Sequence, residues 1–275
     1  MTPTVLITGG GTGIGAAVAR RMGADGWSVC IVGRRSEPLA QLASSTGALA
    51  VAGDVSVETD AARVLGECLE RFGRLDALVI SSGAGATGTV GDQTLERWNH
   101  VLTTNLTGAF LICHHALAPL SETGGAIVTV ASVAGLRADP ESAAYCASKA
   151  GLIMLTRCIA LDYGPLGVRA NCVCPGWIRT EMADGAMDEL ARHYSIGREQ
   201  AYALAAADTP ARRPGTVEEA AEAIVWLASP AASYVNGAVL TVDGGTSIVD
   251  AGTLAFAPHR RAAAPGASDT GGQPE

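Results

Sequence analysis

The sequence predicts an α/β protein built on a parallel sheet, and two observations carry that prediction. Short apolar runs of strand length recur along the 275-residue chain and alternate with stretches of helical periodicity. The first run, Thr4 to Thr8, leads into a glycine-rich loop and then into a helical pattern. Strands that alternate with helices in this way pair in parallel. The further strand candidates are 28–33, 49–52, 76–81, 125–131, 168–174 and 238–242.

Composition indicates one folded domain and a tail. A hydrophobic content of 48% with 34 glycines is ample for a substantial core in a chain of 275 residues. No Pro/Gly/Ser linker divides the chain before residue 257, so we expect one domain over residues 1–256. Residues 257–275 are rich in Ala, Gly and Pro and are predicted to be disordered.

Charge and cysteine usage exclude several classes of function. A net charge of −8 disfavours nucleic acid or an anionic membrane surface as a partner. No uninterrupted apolar run reaches spanning length, and the chain enters a strand at once without a charged leader. The seven cysteines are odd in number, scattered, and form no C-x-x-C pair. Buried free thiols in a reducing cytoplasm are therefore expected rather than disulfides or a metal site.

The loop after the first run has the composition of a phosphate-binding turn. It reads Gly9-Gly10-Gly11-Thr12-Gly13-Ile14-Gly15. Glycines let the backbone approach a pyrophosphate, whose charge the amino terminus of the following helix stabilises. As G-x-G-x-x-A from Gly11 the loop is a weak match to the dinucleotide fingerprint, and as Thr8-Gly9-x-x-x-Gly13-x-Gly15 it is a more specific one. A glycine-rich turn without a ligand is the alternative.

Three side chains near the middle of the chain suit acid/base chemistry. Tyr145 and Lys149 are four residues apart in a helical pattern, so both emerge from one face. A nearby cation favours the ionised phenol, and Lys149 is the single lysine among 19 basic residues, which suggests that a compact ammonium is required. Ser132 ends a strand candidate and offers a hydroxyl that could hold a carbonyl oxygen. A surface i,i+4 pair is the alternative for Tyr145 and Lys149 alone.

The glycine loop from Thr8 to Gly15, with Ser132, the Tyr145-x-x-x-Lys149 motif and Asn105, resembles the short-chain dehydrogenase/reductase family over residues 4–247. The resemblance implies a single Rossmann-type, doubly wound domain, with a seven-stranded parallel sheet, helices on both faces and a nicotinamide cofactor. It implies a homotetramer or homodimer.

The resemblance also implies catalytic roles. Tyr145 would protonate the carbonyl oxygen, and Ser132 would hold that oxygen. Lys149 would lower the tyrosine pKa and bind the nicotinamide ribose. Asn105 would support a proton relay by holding a water behind the lysine.

Cofactor choice depends on the end of the second strand candidate, where Arg34 and Arg35 follow Gly33. An acid there would receive the ribose hydroxyls of NAD, whereas arginine receives a 2′-phosphate, so NADP(H) is preferred and NAD(H) is possible. Glu37 is close enough in sequence to pair with either arginine. The full set of expected cofactor contacts is Thr8, Gly9, Gly11, Thr12, Gly13, Ile14, Gly15, Arg34, Arg35, Asp54, Val55, Ser82, Gly83, Tyr145, Lys149, Pro175, Gly176, Ile178 and Thr180.

Three segments complete the predicted site. Ile80-Ser81-Ser82-Gly83 stands where the family usually carries Asn-Asn-Ala-Gly, so only the glycine is kept. One helix is predicted from Leu95 to about Leu117, and the segment 181–211 is predicted to be a helical lid. Candidates for the pocket lining, for which ordinary helix packing is the alternative, are Trp177, Met182, Met187, His193 and Tyr194.

These observations predict an NADP(H)-dependent reductase that interconverts a ketone and a secondary alcohol. The substrate is expected to be a free small molecule, cyclic or aromatic. Family members that accept carrier-bound chains present arginines where this chain has Thr123 and Leu166. The alternatives are an NAD-dependent alcohol or dihydrodiol dehydrogenase and a dinucleotide-sensing regulator without turnover.

Overall fold

The computed structural model describes residues 2–256 and contains the predicted seven-stranded parallel sheet. All six strand pairings are parallel. The observed strands lie within one residue of the predicted ends. They are β1 Thr4–Thr8, β2 Ser28–Gly33, β3 Leu49–Ala52, β4 Ala77–Ile80, β5 Ala126–Val130, β6 Arg169–Pro175 and β7 Val239–Val242.

The strand order in the sheet is β3-β2-β1-β4-β5-β6-β7. The chain therefore builds outward from β1 in one direction and then returns to start again at β4. Adjacent strands whose connections leave in opposite directions open a crevice at their carboxyl ends, which is where open α/β sheets bind ligands. In this chain the crevice lies between the ends of β1 and β4.

Helices cover both faces of the sheet, as predicted for this fold class. The α-helices in the described residues are α1 Gly13–Ala24, α2 Ser36–Thr46, α3 Glu58–Phe72, α4 Leu95–Leu102, α5 Gly108–Thr123, α6 Ala143–Tyr163, α7 Glu181–Tyr194, α8 Arg198–Ala205 and α9 Val217–Ala228. One core contains side chains of α3, α5 and α6, and the opposite core contains side chains of α1, α2 and α9.

The helix predicted from Leu95 to about Leu117 differs from the structure in two ways. It continues to Thr123, and a π-helical turn at Thr103–Thr107 divides it into α4 and α5. Single π turns accommodate an extra residue in a helix and occur often at functional sites. Asn105 lies in this turn and is 1% exposed.

Helices α7 and α8 form a small unit beside the sheet. They pack against each other through Ala183, Met187 and Tyr202, in a hydrophobic cluster separate from the two sheet cores. Thr180 caps α7, because its hydroxyl oxygen accepts a hydrogen bond from the Ala183 N–H at 3.1 Å. The unit thus begins directly after the end of β6, beside the crevice.

Two other sequence predictions are refined by the structure. All the cysteines are free, but only five are buried: Cys146 is partly exposed and Cys158 is exposed. By length and composition alone, the segments Leu95–Thr123 and Ala143–Leu166 are long and apolar enough to cross a membrane. This is weak support for a membrane, since core helices of soluble proteins pass the same test. The predicted disordered tail lies outside the described residues.

Candidate active site

A cavity of about 870 Å³ occupies the crevice at the carboxyl ends of the strands. The glycine loop forms its floor, and Gly9 and Gly13 have positive φ values of 65° and 54°. A Cβ atom on Gly15 would lie 2.3 Å from the Gly9 carbonyl oxygen, so the loop closes tightly over the start of α1 only with glycine there. No acidic residue lies in the first turn of α1. The loop therefore leaves open backbone and a helix amino terminus for an anion.

Nearly all the predicted site residues meet at this cavity. Gly15 lies beneath the loop, and Asn105 lies behind the cavity wall. The others line it: Thr8, Gly9, Gly11, Thr12, Gly13, Ile14, Arg34, Arg35, Asp54, Val55, Ser82, Gly83, Ser132, Tyr145, Lys149, Pro175, Gly176, Ile178 and Thr180.

Lys149 is buried in the wall of the cavity, with 4% of its surface exposed. Its Nζ donates a hydrogen bond to the Val130 carbonyl oxygen at 2.9 Å. Nζ lies 5.6 Å from the centre of the Tyr145 ring, as the four-residue spacing on α6 predicts. Burial lowers the pKa of Lys149 to about 8, so the side chain is mainly an ammonium at pH 7.

Tyr145 and Ser132 face the cavity together. The partial burial of the ring raises the pKa of Tyr145 above its usual 10, and a hydrogen bond with Ser132 lowers it in part. Burial is the largest influence on the phenol pKa in this structure, and the lowering by Lys149 that the resemblance implies stays a prediction. The Ser132 oxygen accepts a hydrogen bond from the Ala134 N–H at 3.1 Å, which orients the hydroxyl while leaving its proton free to donate.

Asn105 braces the site from behind. Its Oδ1 accepts from the Ala84 N–H at 2.7 Å, and its Nδ2 donates to the Ala84 carbonyl oxygen and to the Ser148 Oγ, both at 2.9 Å. The Ser148 hydroxyl in turn donates to the Tyr145 carbonyl oxygen at 2.7 Å. The Asn105 amide thus joins the loop after β4 to the helix that carries the tyrosine and the lysine. Ser148 is a contributor that the sequence reasoning missed, although it lies next to Lys149.

Ser82, which lies in the loop after β4, has a structural partner on β1. The Ser82 Oγ lies 3.0 Å from the Thr8 Oγ1, and the Ser82 N–H donates to that same oxygen at 3.3 Å. This contact ties the ends of β1 and β4 at the crevice.

After β3, the Asp54 Oδ1 accepts hydrogen bonds from the Ser56 N–H at 3.0 Å and from the Ser56 hydroxyl at 2.7 Å. Asp54 thus orders the turn before α3, which begins at Glu58.

The two arginines after β2 differ in their surroundings. Arg35 forms two hydrogen bonds with the Glu181 carboxylate, at 3.0 and 2.8 Å. Arg34 and Glu37 have no ion pair or hydrogen-bonded side-chain partner within residues 2–256. The sequence-based alternative that Glu37 pairs with one of the arginines is therefore not what the structure shows. Arg35 pairs instead with Glu181 on α7, which is far away in sequence.

The predicted pocket candidates divide into two groups. Trp177 and Met182 line the cavity. Met187 is buried between α7 and α8, and His193 packs edge-on against Tyr194 at the end of α7. Sequence reasoning missed Asp139 and Glu189, which also line the cavity. Their charge gives no periodic signal that would have identified them.

Gly135 is a further residue that sequence analysis did not single out as functional. A Cβ atom there would lie 2.8 Å from the Lys149 carbonyl carbon and 2.9 Å from its oxygen. Only glycine therefore allows the turn that carries Ser132 to pack directly on α6. This close packing fixes the distance between the serine and the tyrosine.

Replacing Gly135 by alanine should lower both stability and activity. The methyl group meets backbone atoms, which cannot move aside as a side chain could, so we expect a destabilisation of about 1–3 kcal/mol and a clear loss of turnover. Urea unfolding and steady-state kinetics measure the two effects. Gly66→Ala is the matched control, because its Cβ position on α3 has no atom within 4 Å. Wild-type behaviour of Gly135→Ala would contradict this account.

Comparison with known proteins decides the family. Residues 9–247 match a family model described as enoyl-(acyl carrier protein) reductase. The chain is 42% identical to protein MoaE of Klebsiella aerogenes, covering 94% of this chain and 100% of that protein. It is 37% identical to a cis-4-hydroxycyclohexanecarboxylate dehydrogenase of Sinomonas cyclohexanicum, covering 89% and 96%. The chain belongs to the short-chain dehydrogenase/reductase family.

A solved structure of a ketoreductase supports the same assignment. A variant of actinorhodin polyketide ketoreductase with NADPH superimposes with a TM-score of 0.86 at 30% identity, over 90% of this chain and 98% of that one. The short-chain dehydrogenase/reductase described here is an oxidoreductase of CH–OH and C=O groups, in a family that binds NAD(P)(H).

The residues of this short-chain dehydrogenase/reductase fit a dinucleotide cofactor. The glycine loop provides the uncrowded backbone that a pyrophosphate needs, since Cβ atoms on Gly9 and Gly15 would meet backbone at 2.7 and 2.3 Å. A Cβ atom on Gly83 would lie 3.6 Å from the Lys149 Nζ, so this glycine keeps the approach to the ammonium open. Bound there, the cofactor supplies the hydride of the reaction.

Proposed function

We propose that the protein is an NADP(H)-dependent reductase that interconverts a ketone and a secondary alcohol. The observation that carries this proposal is the meeting of Ser132, Tyr145 and Lys149 on one wall of a cavity whose other end is the glycine loop. A regulator that only sensed a dinucleotide would have no need of an acid/base group beside a buried ammonium. The relative that acts on a hydroxycyclohexane carboxylate supports a secondary alcohol as one member of the pair.

In the reductive direction each side chain has a definite task. Tyr145 is protonated at neutral pH, because its pKa is raised, and its hydroxyl donates a proton to the carbonyl oxygen. The Ser132 hydroxyl, oriented by the Ala134 N–H, donates a hydrogen bond to that same oxygen. The Lys149 ammonium stabilises the phenolate that remains and holds the nicotinamide ribose. Asn105 supports the reprotonation of Tyr145 by keeping α6 and the loop after β4 in position.

The substrate is proposed to be a free small molecule, cyclic or aromatic. Trp177 and Met182 offer an apolar surface for a ring, and the relative with a cyclohexane substrate points in the same direction. Asp139 and Glu189 on the cavity lining would repel an acidic carrier protein. We propose that α7 and α8, in the segment 181–211, form the lid over this end. Tight binding to an acyl carrier protein would contradict the proposal.

A panel of cyclic, aromatic and acyclic ketones tests the proposed function, with NADPH and NADH absorbance followed separately. Oxidation of NADPH by at least one ketone, with slower oxidation of NADH, is the expected result. Turnover with NADH alone would favour the NAD-dependent dehydrogenase instead. Cofactor binding without turnover of any ketone or alcohol would favour the regulator.

Arg34→Ala should erase most of the preference for NADPH. Arg34 lines the cavity after β2 and has no ion-pair partner in the described part of the chain, so its guanidinium is available to a 2′-phosphate. We expect the NADPH Michaelis constant to rise roughly tenfold, with little effect on NADH, because NADH lacks the phosphate. Steady-state kinetics with both cofactors measure the change. An unchanged ratio of the two efficiencies would show that Arg34 does not read the phosphate.

We also propose that the enzyme is cytoplasmic and forms a homotetramer or homodimer. Phe110 on α5 and Met154 and Leu161 on α6 are 50%, 55% and 78% exposed, although all are apolar. Exposed apolar side chains on neighbouring helices are typical of a surface that another subunit covers. Light scattering of the purified protein tests the assembly.

A further inference from the structure

Arg35 and Glu181 bridge the cofactor cavity at its β2 end. Arg35 follows β2, Glu181 is the first residue of α7, and both line the cavity. The Arg35 Nη1 and Nη2 donate to the Glu181 Oε1 and Oε2 at 3.0 and 2.8 Å, a parallel two-bond geometry across 146 residues of sequence. The Arg35 Nη2 also lies 3.5 Å from the Thr12 Oγ1 of the glycine loop. The Arg35 side chain therefore joins the end of β2, the glycine loop and the start of α7.

The pairing changes what the end of β2 can offer to an anion. The Arg35 guanidinium lowers the pKa of Glu181, so the carboxylate is ionised at neutral pH and the charges of the two groups offset each other. Both terminal nitrogens of Arg35 already donate to that carboxylate. Arg34, its neighbour, has no comparable ion pair in the part of the chain that the structure describes. Arg35 is therefore paired with Glu181, whereas Arg34 is available to an anion.

We propose that Glu181 is a specificity-determining residue for the cofactor: by holding Arg35, it withholds one guanidinium from the 2′-phosphate and limits the preference for NADPH. This inference rests on the proposed function, because it requires a dinucleotide in the cavity. NADPH gains a second arginine only by displacing the Glu181 carboxylate, whereas NADH has no phosphate to compete for Arg35. Glu181 thus weakens the binding of NADPH but not that of NADH, although both cofactors occupy the same cavity.

Glu181→Gln tests the proposal, with dissociation constants of NADPH and NADH measured by fluorescence titration. We expect NADPH to bind roughly two- to fivefold more tightly, the size typical of one exposed charge pair, and NADH binding to stay unchanged. The gain should shrink at high salt, since both side chains are exposed. In an Arg35→Ala background the same substitution should bring no gain, because the guanidinium that it releases is missing.

Glu222→Gln is the matched control. It removes an equally exposed carboxylate that pairs with Arg21 at 2.7 Å between α9 and α1, away from the cavity, and should leave both dissociation constants unchanged. An unchanged NADPH constant in Glu181→Gln, equal tightening of both cofactors, or a gain that persists without Arg35 would each overturn the inference. If the wild-type protein binds both cofactors, such results leave the proposed function standing. If it binds neither, both proposals fail.

Discussion

Replacing Tyr145 by phenylalanine is expected to lower turnover about 10²- to 10⁴-fold while leaving cofactor affinity nearly unchanged. The substitution removes the only proton that the phenol can transfer and keeps the ring against Lys149. The substitution removes the interaction of the hydroxyl with Ser132 and little packing, because the ring itself is kept. Steady-state ketone reduction and NADPH titration on the same preparation separate the chemical step from binding.

Tyr163→Phe is the matched control for this prediction. Tyr163 is the last residue of α6, so the control also removes a phenol hydroxyl from this helix, but at the end away from the cavity. It should retain wild-type turnover. Near wild-type ketone reduction by Tyr145→Phe would show that another group donates the proton, and the proposed mechanism would have to be abandoned.

Lys149→Arg should reduce kcat/KM by about 10²-fold or more, even though the positive charge is kept. The ammonium is buried and donates a hydrogen bond to the Val130 carbonyl oxygen at 2.9 Å. A guanidinium is planar and larger, and it presents its donors in a rigid fork, so it cannot occupy this position without moving the tyrosine helix or the strand.

Arg157→Lys provides the reverse exchange as a control. Arg157 lies exposed on α6, where either cation is solvated, and the substitution should leave kinetics unchanged. Comparison of thermal unfolding curves separates a misplaced cation from a destabilised fold. Wild-type kinetics for Lys149→Arg would remove the interpretation that the single lysine of the chain is required as a compact ammonium.

Much of the fold could be predicted because its signals are local. Each strand is a short apolar run ended by glycine or polar residues, and all seven observed strands coincide with such runs within one residue. The cap at Thr216 marks the start of α9, where its hydroxyl accepts from the Glu219 N–H at 3.3 Å. The π turn around Asn105 has no such local signal, and the Asn105 side chain there bonds to Ala84 and Ser148, which are distant in sequence.

The sequence by itself determined the sheet and the identity of the main reactive groups. Strand and helix periodicities, the glycine loop and the Tyr145-x-x-x-Lys149 spacing are properties of neighbouring residues, which local backbone geometry converts directly into structure. Tertiary structure decided how those groups are tuned. The raised pKa of Tyr145 results from burial among several elements, and the partner of Arg35 is Glu181 rather than nearby Glu37. Burial and long-range ion pairs are set by packing of the whole chain, since they depend on which distant residues the fold brings together.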